Sequence, residues 1–289
     1  MGVRVFFNGE FIHEREAMVP VTDRGWLYGD GLFDTMRLFE GKPFLWHRHI
    51  DRLMRGAALM LIRLPHGKAD LATSVGHLME LNDFYDGVLR IQVSRAGKQR
   101  GYAPSNASGE NMLVSLHPLP SSETIEPDGF RLILSTQIIS SGSYFSTIKS
   151  ANRLPQVMAM AEAETAEADD ALLLNDEGKI TSATAGNLFW IEDETVCTPP
   201  LNSGCLPGIT RQFILEMCPK LDLSVAEKNV TTEELPTKDG IFISNSVHGV
   251  RIAKSLLNQR LNSSPVATKL AAAYDAALVT GALNKPEDD

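Results

Sequence analysis

The chain has 289 residues, 43% hydrophobic and 22% charged, the balance of a protein that buries a large core and is longer than an average single domain. Its 36 acidic residues outnumber 27 basic ones, and the net charge of −9 excludes a basic field for nucleic acid or anionic lipid. Cys197, Cys205 and Cys218 have no close metal-ligand spacing and are odd in number, so neither a metal nor a disulfide framework is expected, and a reduced cytoplasm fits.

Val3 to Phe7, then Asn8-Gly9 and a second short apolar stretch, predict a β-hairpin, because Asn-Gly supplies the positive φ of a tight turn. Ile50, Leu53, Met54, Ala57, Met60 and Leu61 recur at three and four, which predicts an amphipathic helix; a second covers about Ala69 to Leu81. Strands are expected at Val88–Val93 and Met112–Leu116, and His117 to Asp128 shows neither period. The reading is therefore a smaller α+β domain over 1–117, a linker over 118–128 and a larger α/β domain over 129–289. In that second part come a strand at Phe130–Ser135, a helix from about Leu154 to Ala166 and a strand at Ala171–Leu174. A turn at Asn175 to Gly178 leads to one further strand ending in Asn187-Leu188-Phe189-Trp190. Helices start at Gly208-Ile209-Thr210 and at Ser264-Pro265, the latter running through Leu283. No apolar stretch reaches the ~18 residues of a spanning helix and the start lacks a signal-type apolar run, so a soluble, unprocessed chain without membrane partners is expected.

Five segments carry residues suited to chemistry. Asp23-Arg24-Gly25 with Tyr28-Gly29-Asp30-Gly31-Leu32-Phe33-Asp34-Thr35 is a glycine-punctuated turn into a strand. His47-Arg48-His49-Ile50-Asp51-Arg52-Leu53 opens the first long helix, and a guanidinium there offers paired planar donors for phosphate oxygens. Ser94-Arg95-Ala96-Gly97-Lys98-Gln99-Arg100-Gly101-Tyr102 follows a strand, where an arginine on a glycine-rich loop can clamp a carboxylate; Arg100 is the first candidate and Arg95 the second. Ile148-Lys149-Ser150-Ala151-Asn152-Arg153-Leu154 presents Lys149, whose amine can act uncharged as nucleophile and base, as an arginine cannot. Pro207-Gly208-Ile209-Thr210 puts backbone N–H groups and a hydroxyl at a helix start, a chemical answer to a phosphate.

In this order the five segments resemble, nearly end to end, the class IV aminotransferases, pyridoxal-phosphate enzymes of fold type IV. The Arg95 to Tyr102 stretch is similar to that of aminodeoxychorismate lyases. The resemblance implies that Lys149 holds pyridoxal 5'-phosphate as a Schiff base and moves the substrate proton. It further implies that Arg52, Ile209, Thr210 and, less firmly, Ser246 contact the cofactor phosphate, and that Arg100 grips a substrate carboxylate from the neighbouring subunit of a homodimer. Tyr28, Arg37 and Asn152 are candidates for the substrate pocket, although packing or turn-making explains each about as well, while His47 and His49 read as structural. One departure stands out: relatives carry a glutamate toward the pyridine nitrogen, and here Thr181-Ser182-Ala183-Thr184-Ala185-Gly186-Asn187 puts Ser182 in its place. A neutral partner favours a reaction that stores less charge. The expected activity is cleavage of 4-amino-4-deoxychorismate to 4-aminobenzoate and pyruvate, in folate precursor synthesis. The alternatives are an aminotransferase for D-amino or branched-chain substrates and a cofactor-binding homologue with impaired turnover.

Overall fold

The computed structural model describes residues 2–120 and 130–281. Most of the expected linker, from Ser121 on, and the chain end beyond Gly281 lie outside the described residues. The chain packs into two units, one of residues 2–120 together with Ile148–Asn152 and one of residues 130–147 together with Arg153–Thr280. The segment bearing Lys149, read from the sequence as part of the second domain, thus packs with the first.

The first unit opens with β1 (Arg4–Phe7) and β2 (Glu10–His13), joined through Asn8 and Gly9 at φ 50° and 95°. A short helix α1 (Arg24–Tyr28) is capped by the Asp23 side chain and ends on Gly29 at φ 66°, which leads into β3 (Gly31–Phe39) and β4 (Lys42–Pro43). Then follow α2 (Trp46–Leu59), α3 (Lys68–Asn82), β5 (Gly87–Gly97) and β6 (Ala107–His117). Helix α2 starts one turn before Ile50 because its first turn, Trp46-His47-Arg48-His49, lies outside the apolar period that the sequence reading followed. The strands form an antiparallel sheet in the order β2-β1-β6-β5-β3-β4. Strand alternation divides its faces. Leu32, Met36 and Leu38, with Leu89, Ile91, Val93, Met112 and Val114, join Ile50, Leu53 and Ala57 of α2 and Leu71, Val75 and Leu78 of α3 in one core. The other face carries Phe33, Thr35 and Arg37, with Arg90 and Gln92 in register opposite Thr35 and Phe33.

The second unit contains β7 (Phe130–Ile139), α4 (Leu154–Thr165), β8 (Asp170–Asn175), β9 (Ile180–Ala183), β10 (Asn187–Glu192) and β11 (Thr195–Thr198). It continues with α5 (Ile209–Met217), β12 (Val225–Glu227), β13 (Gly240–Asn245), β14 (Gly249–Leu256), β15 (Gln259–Arg260) and α6 (Pro265–Thr280). The expected single strand ending at Trp190 is two, β9 and β10. Ala183 N donates to Gly186 O at 2.9 Å and reverses the chain, and a Cβ on Gly186 would meet Ile243 Cγ2 at 2.3 Å. The pairings β10-β13-β14-β7-β8-β9 close on themselves through the Asn187–Ser182 bridge, so the sheet curls around Leu132, Leu172, Leu188, Trp190, Ile241 and Ile243. Helix α4 lays Ala159 and Ala163 on Ala171 and Leu173 of β8.

Gly31 is required by packing, since a Cβ there would stand 2.5 Å from the Val93 carbonyl oxygen. Gly31→Ala must spread β3 from β5 and is expected to cost about 1–3 kcal/mol, the range for overpacking. Urea unfolding with an unchanged slope and a lower midpoint would show it; an unchanged midpoint would contradict the packing argument.

Candidate active site

The first unit builds its site on the free edge of β3. Phe33 N donates to Lys149 O at 3.0 Å and Ala151 N donates to Gly31 O at 2.8 Å, so the Lys149 segment adds to the sheet as a short extra strand, with Leu32 bridged to Ser150. Asn152 Nδ2 donates to Gly29 O at 3.0 Å, which ties the two halves of the sequence pattern together. A Cβ on Gly56 of α2 would touch Leu32 at 3.1 Å and Ile148 at 3.4 Å, so the helix carrying Arg52 packs directly beneath the lysine segment. The half-buried Lys149 directs Nζ over the Phe33 ring, 4.7 Å from its centroid. The Arg90 guanidinium lies 4.0 Å from the centroid of the same ring. Lys149 and Arg90 therefore share the polar face of the sheet, a role for Arg90 that motif reading missed because it sits inside an alternating strand without a motif of its own.

Beneath this face lies a buried charge cluster. Asp34, fully buried, accepts from Arg52 Nε at 2.9 Å and Nη2 at 2.8 Å, and its Oδ1 lies 2.7 Å from His49 Nδ1. Burial alone would push the Asp34 carboxyl up, but Arg52 and His49 hold it well below the usual carboxylate range. Burial pushes the His49 imidazole down, with Arg52 and Lys149 adding to the shift and Asp34 opposing it. An ionised Asp34 can only accept, so His49 donates through Nδ1–H. Arg52 is thus held by a planar two-point grip before any anion arrives. The sequence places Asp34 in the first segment but gives it no role of its own; that role comes from burial.

The Arg100 loop joins β5 to β6, with the Arg100 side chain exposed. Arg95, the second clamp candidate, is buried and spends its donors on Asp30 and on the Met60 and Leu61 carbonyls at the end of α2, which makes it a strut. Tyr28 lies in the same unit, its hydroxyl accepting from Gly101 N at 2.9 Å. Arg37 donates to Gly87 O at 3.0 Å.

Ser182, Ile209, Thr210 and Ser246 belong to the second unit. Helix α5 begins at Gly208 without a side-chain cap, with Ile209 and Thr210 buried in its first turn. Thr210 Oγ1 and Ser246 Oγ are 3.4 Å apart. Asn245 shapes the turn that presents Ser246 by accepting from Val247 N at 3.0 Å and His248 N at 2.8 Å. Arg211 anchors the helix through Pro199 O and Glu227. First-turn amides, two hydroxyls and a helix dipole form a cradle suited to a phosphate. Ser182, half-buried on β9, lies at the bridge that closes the ring, its Oγ 3.4 Å from Thr181 Oγ1. The unit does hold a buried carboxylate, Asp170, but its Oδ1 accepts from Thr184 Oγ1 at 2.6 Å, Thr184 N at 3.1 Å and Ala171 N at 2.8 Å, and so fastens the turn after β9. The first unit thus carries an amine and an oriented arginine, and the second unit carries an anion cradle. Among the described residues no group of His, Cys, Asp or Glu could hold a metal ion, and no helix is long and apolar enough to cross a membrane.

Removing the Asp34 charge breaks its buried pair with Arg52, so Asp34→Asn is expected to lose about 3–5 kcal/mol at neutral pH, the cost of breaking a buried pair. The lowered carboxyl makes its contribution full above the ordinary value of 3.8 and lost as pH falls through the folded value. Denaturant titrations at pH 7 and pH 3 should therefore show the gap between wild type and variant shrinking in acid; a constant gap would contradict the charge argument.

Comparison with known proteins agrees with this geometry. Residues 31–256 match the family described as amino-transferase class IV. The chain is 30% identical over 261 residues to the D-alanine aminotransferase of Bacillus licheniformis, covering 90% of this chain and 91% of that protein. It is 29% identical over 246 residues to the aminodeoxychorismate lyase of Bacillus subtilis, covering 84% and 83%. In fold it is similar to the branched-chain aminotransferase of the thermophilic archaeon Thermoproteus uzoniensis, with a TM-score of 0.87 at 23% identity over 98% of this chain and 97% of that one. The lysine-bearing strand, the oriented arginine and the anion cradle thus stand in a chain that belongs to the class IV aminotransferases.

Proposed function

We propose that this protein is a pyridoxal-phosphate-dependent lyase that converts 4-amino-4-deoxychorismate to 4-aminobenzoate and pyruvate. The observation that carries the reading is Ser182, a neutral hydroxyl where the family resemblance implies a carboxylate toward the cofactor ring. When bound, the cofactor supplies an electron sink for the substrate carbon that bears the amine. Lys149 is the residue to hold it, with Arg52, Ile209, Thr210 and Ser246 as the phosphate contacts. A serine in place of a glutamate forgoes a charge-assisted hydrogen bond of about 1.5–3 kcal/mol, or about one to two decades in rate if fully expressed. Lyase chemistry tolerates that loss better than transamination. Lys149 Nζ takes the proton from the ring carbon bearing the amine, the neighbouring carbon–oxygen bond breaks, and the enolpyruvyl group leaves to become pyruvate. The pair from the broken carbon–hydrogen bond becomes a ring double bond and makes the ring aromatic, while the carbon–oxygen pair departs on the enolate, which takes up the proton. Arg100 clamps a substrate carboxylate.

The relatives support a second reading. A D-alanine aminotransferase is as similar to the chain as an aminodeoxychorismate lyase, so transamination of D-amino or branched-chain amino acids is the alternative activity. A homodimer and a cytoplasmic role in folate precursor synthesis complete the proposal. The first unit exposes Met18, Val21, Trp26 and Tyr102, apolar side chains that a second copy would cover.

Incubation with aminodeoxychorismate should release fluorescent 4-aminobenzoate, and Lys149→Ala should lose both this activity and borohydride-fixed cofactor. Keto-acid-dependent absorbance changes with D-alanine or L-leucine and no 4-aminobenzoate would select the aminotransferase instead. Ser182→Glu is expected to raise transamination about ten- to a hundredfold while lyase turnover persists. A variant without that rise would remove the serine from the argument.

A further inference from the structure

The loop that carries Arg100 is fastened on both sides of that residue. Arg24, buried at the start of α1, donates Nη1 to Gly101 O at 2.6 Å and Nη2 to Tyr102 O at 3.0 Å, while its Nε donates to Asp30 at 2.7 Å. Tyr28 Oη accepts from Gly101 N at 2.9 Å, and its ring lies 5.3 Å from that of Tyr102 and 5.2 Å from the Arg24 guanidinium. Asn106 Nδ2 donates to Arg100 O at 3.1 Å, and Lys98 N donates to Asn106 O at 2.9 Å. Three consecutive carbonyls and the amide after Arg100 are therefore all engaged. Gly101 holds φ 112°, a conformation other residues avoid. Asp30 is the hub. It also accepts from Arg95 Nε at 3.0 Å, and Arg95 reaches the end of α2, the helix that carries Arg52.

We infer that Arg24 and Tyr28 are positioning residues that hold the Arg100 backbone for recognition of a substrate carboxylate, a role that rests on the reading of Arg100 as the clamp. A clamp must meet its anion in a fixed place, and a loop pinned through its main chain leaves only the arginine side chain to order on binding. The same bonds rigidify the loop whether or not substrate is present. Their loss therefore shows first in the protein's own motions and then in KM, with the proton step at Lys149 unaffected.

The test uses the holoenzyme, its Tyr28→Phe, Gly101→Ala and Arg100→Ala variants, and the double variant Tyr28→Phe/Arg100→Ala. Tyr28→Phe keeps the ring and deletes one acceptor, so its fold should persist. Hydrogen exchange at the Gly101 amide should quicken about three- to tenfold, the worth of one hydrogen bond. With aminodeoxychorismate as substrate, KM should rise by a similar factor in Tyr28→Phe and Gly101→Ala, with kcat and cofactor affinity within about twofold of wild type. The double variant should match Arg100→Ala alone, since residues acting as one unit do not add. Unchanged exchange at Gly101, or additive effects in the double variant, would overturn the inference; the former with a raised KM would make Tyr28 a direct substrate contact. Wild-type KM in Arg100→Ala would remove the clamp and the positioning role together. A wild type inactive on aminodeoxychorismate would end the lyase reading, and exchange at Gly101 then decides whether the loop is pinned.

Discussion

Everything chemical in the first unit depends on how one strand edge is used. Strand β3 pairs with β5 on one side, and on the other its first residues accept and donate main-chain hydrogen bonds to the Lys149 segment. Backbone pairing places a residue to within the tolerance of a hydrogen bond, far better than a surface loop could. Alternation then does the rest: Phe33 faces Lys149 on the polar side, while Asp34, the next residue, points into the core and grips Arg52. A single strand thus sets both the amine and the arginine.

The Asp34, His49 and Arg52 cluster is a costly arrangement for stability alone, since buried ion pairs seldom outperform apolar packing. Its value lies in orientation. Two hydrogen bonds to Asp34 fix the plane of the Arg52 guanidinium, and the Asp34 contact fixes the orientation of the His49 ring. In the second unit the counterpart is the start of α5, where amides and the Thr210 and Ser246 hydroxyls gather without a capping side chain.

Ser182 sits at the closing bridge of the second unit's sheet. Its backbone pairs with Asn187 where the curled sheet closes, so the position is fixed by the fold even though the side chain carries no charge. The buried Asp170 does not substitute, because its oxygen is committed to the Thr184 turn.

The sequence alone determined the opening hairpin, helices α2 to α6 and strands β5 to β8, since these follow from local period and from the turn chemistry of Asn8-Gly9 and Gly208. It also marked Lys149, Arg52 and the Gly-Ile-Thr turn, because each sits in a contiguous motif whose residue types suit one chemistry. Only the tertiary structure decided that the Lys149 segment packs with the first unit, that Arg95 is a strut, that β9 and β10 are separate strands, that Asp34 grips Arg52 and that Arg90 shares the Phe33 ring with Lys149. These facts rest on pairings between residues far apart in the chain and on burial, which turns an ordinary aspartate into the anchor of an arginine. Local patterns report what a segment prefers, whereas partners and desolvation exist only once distant segments meet.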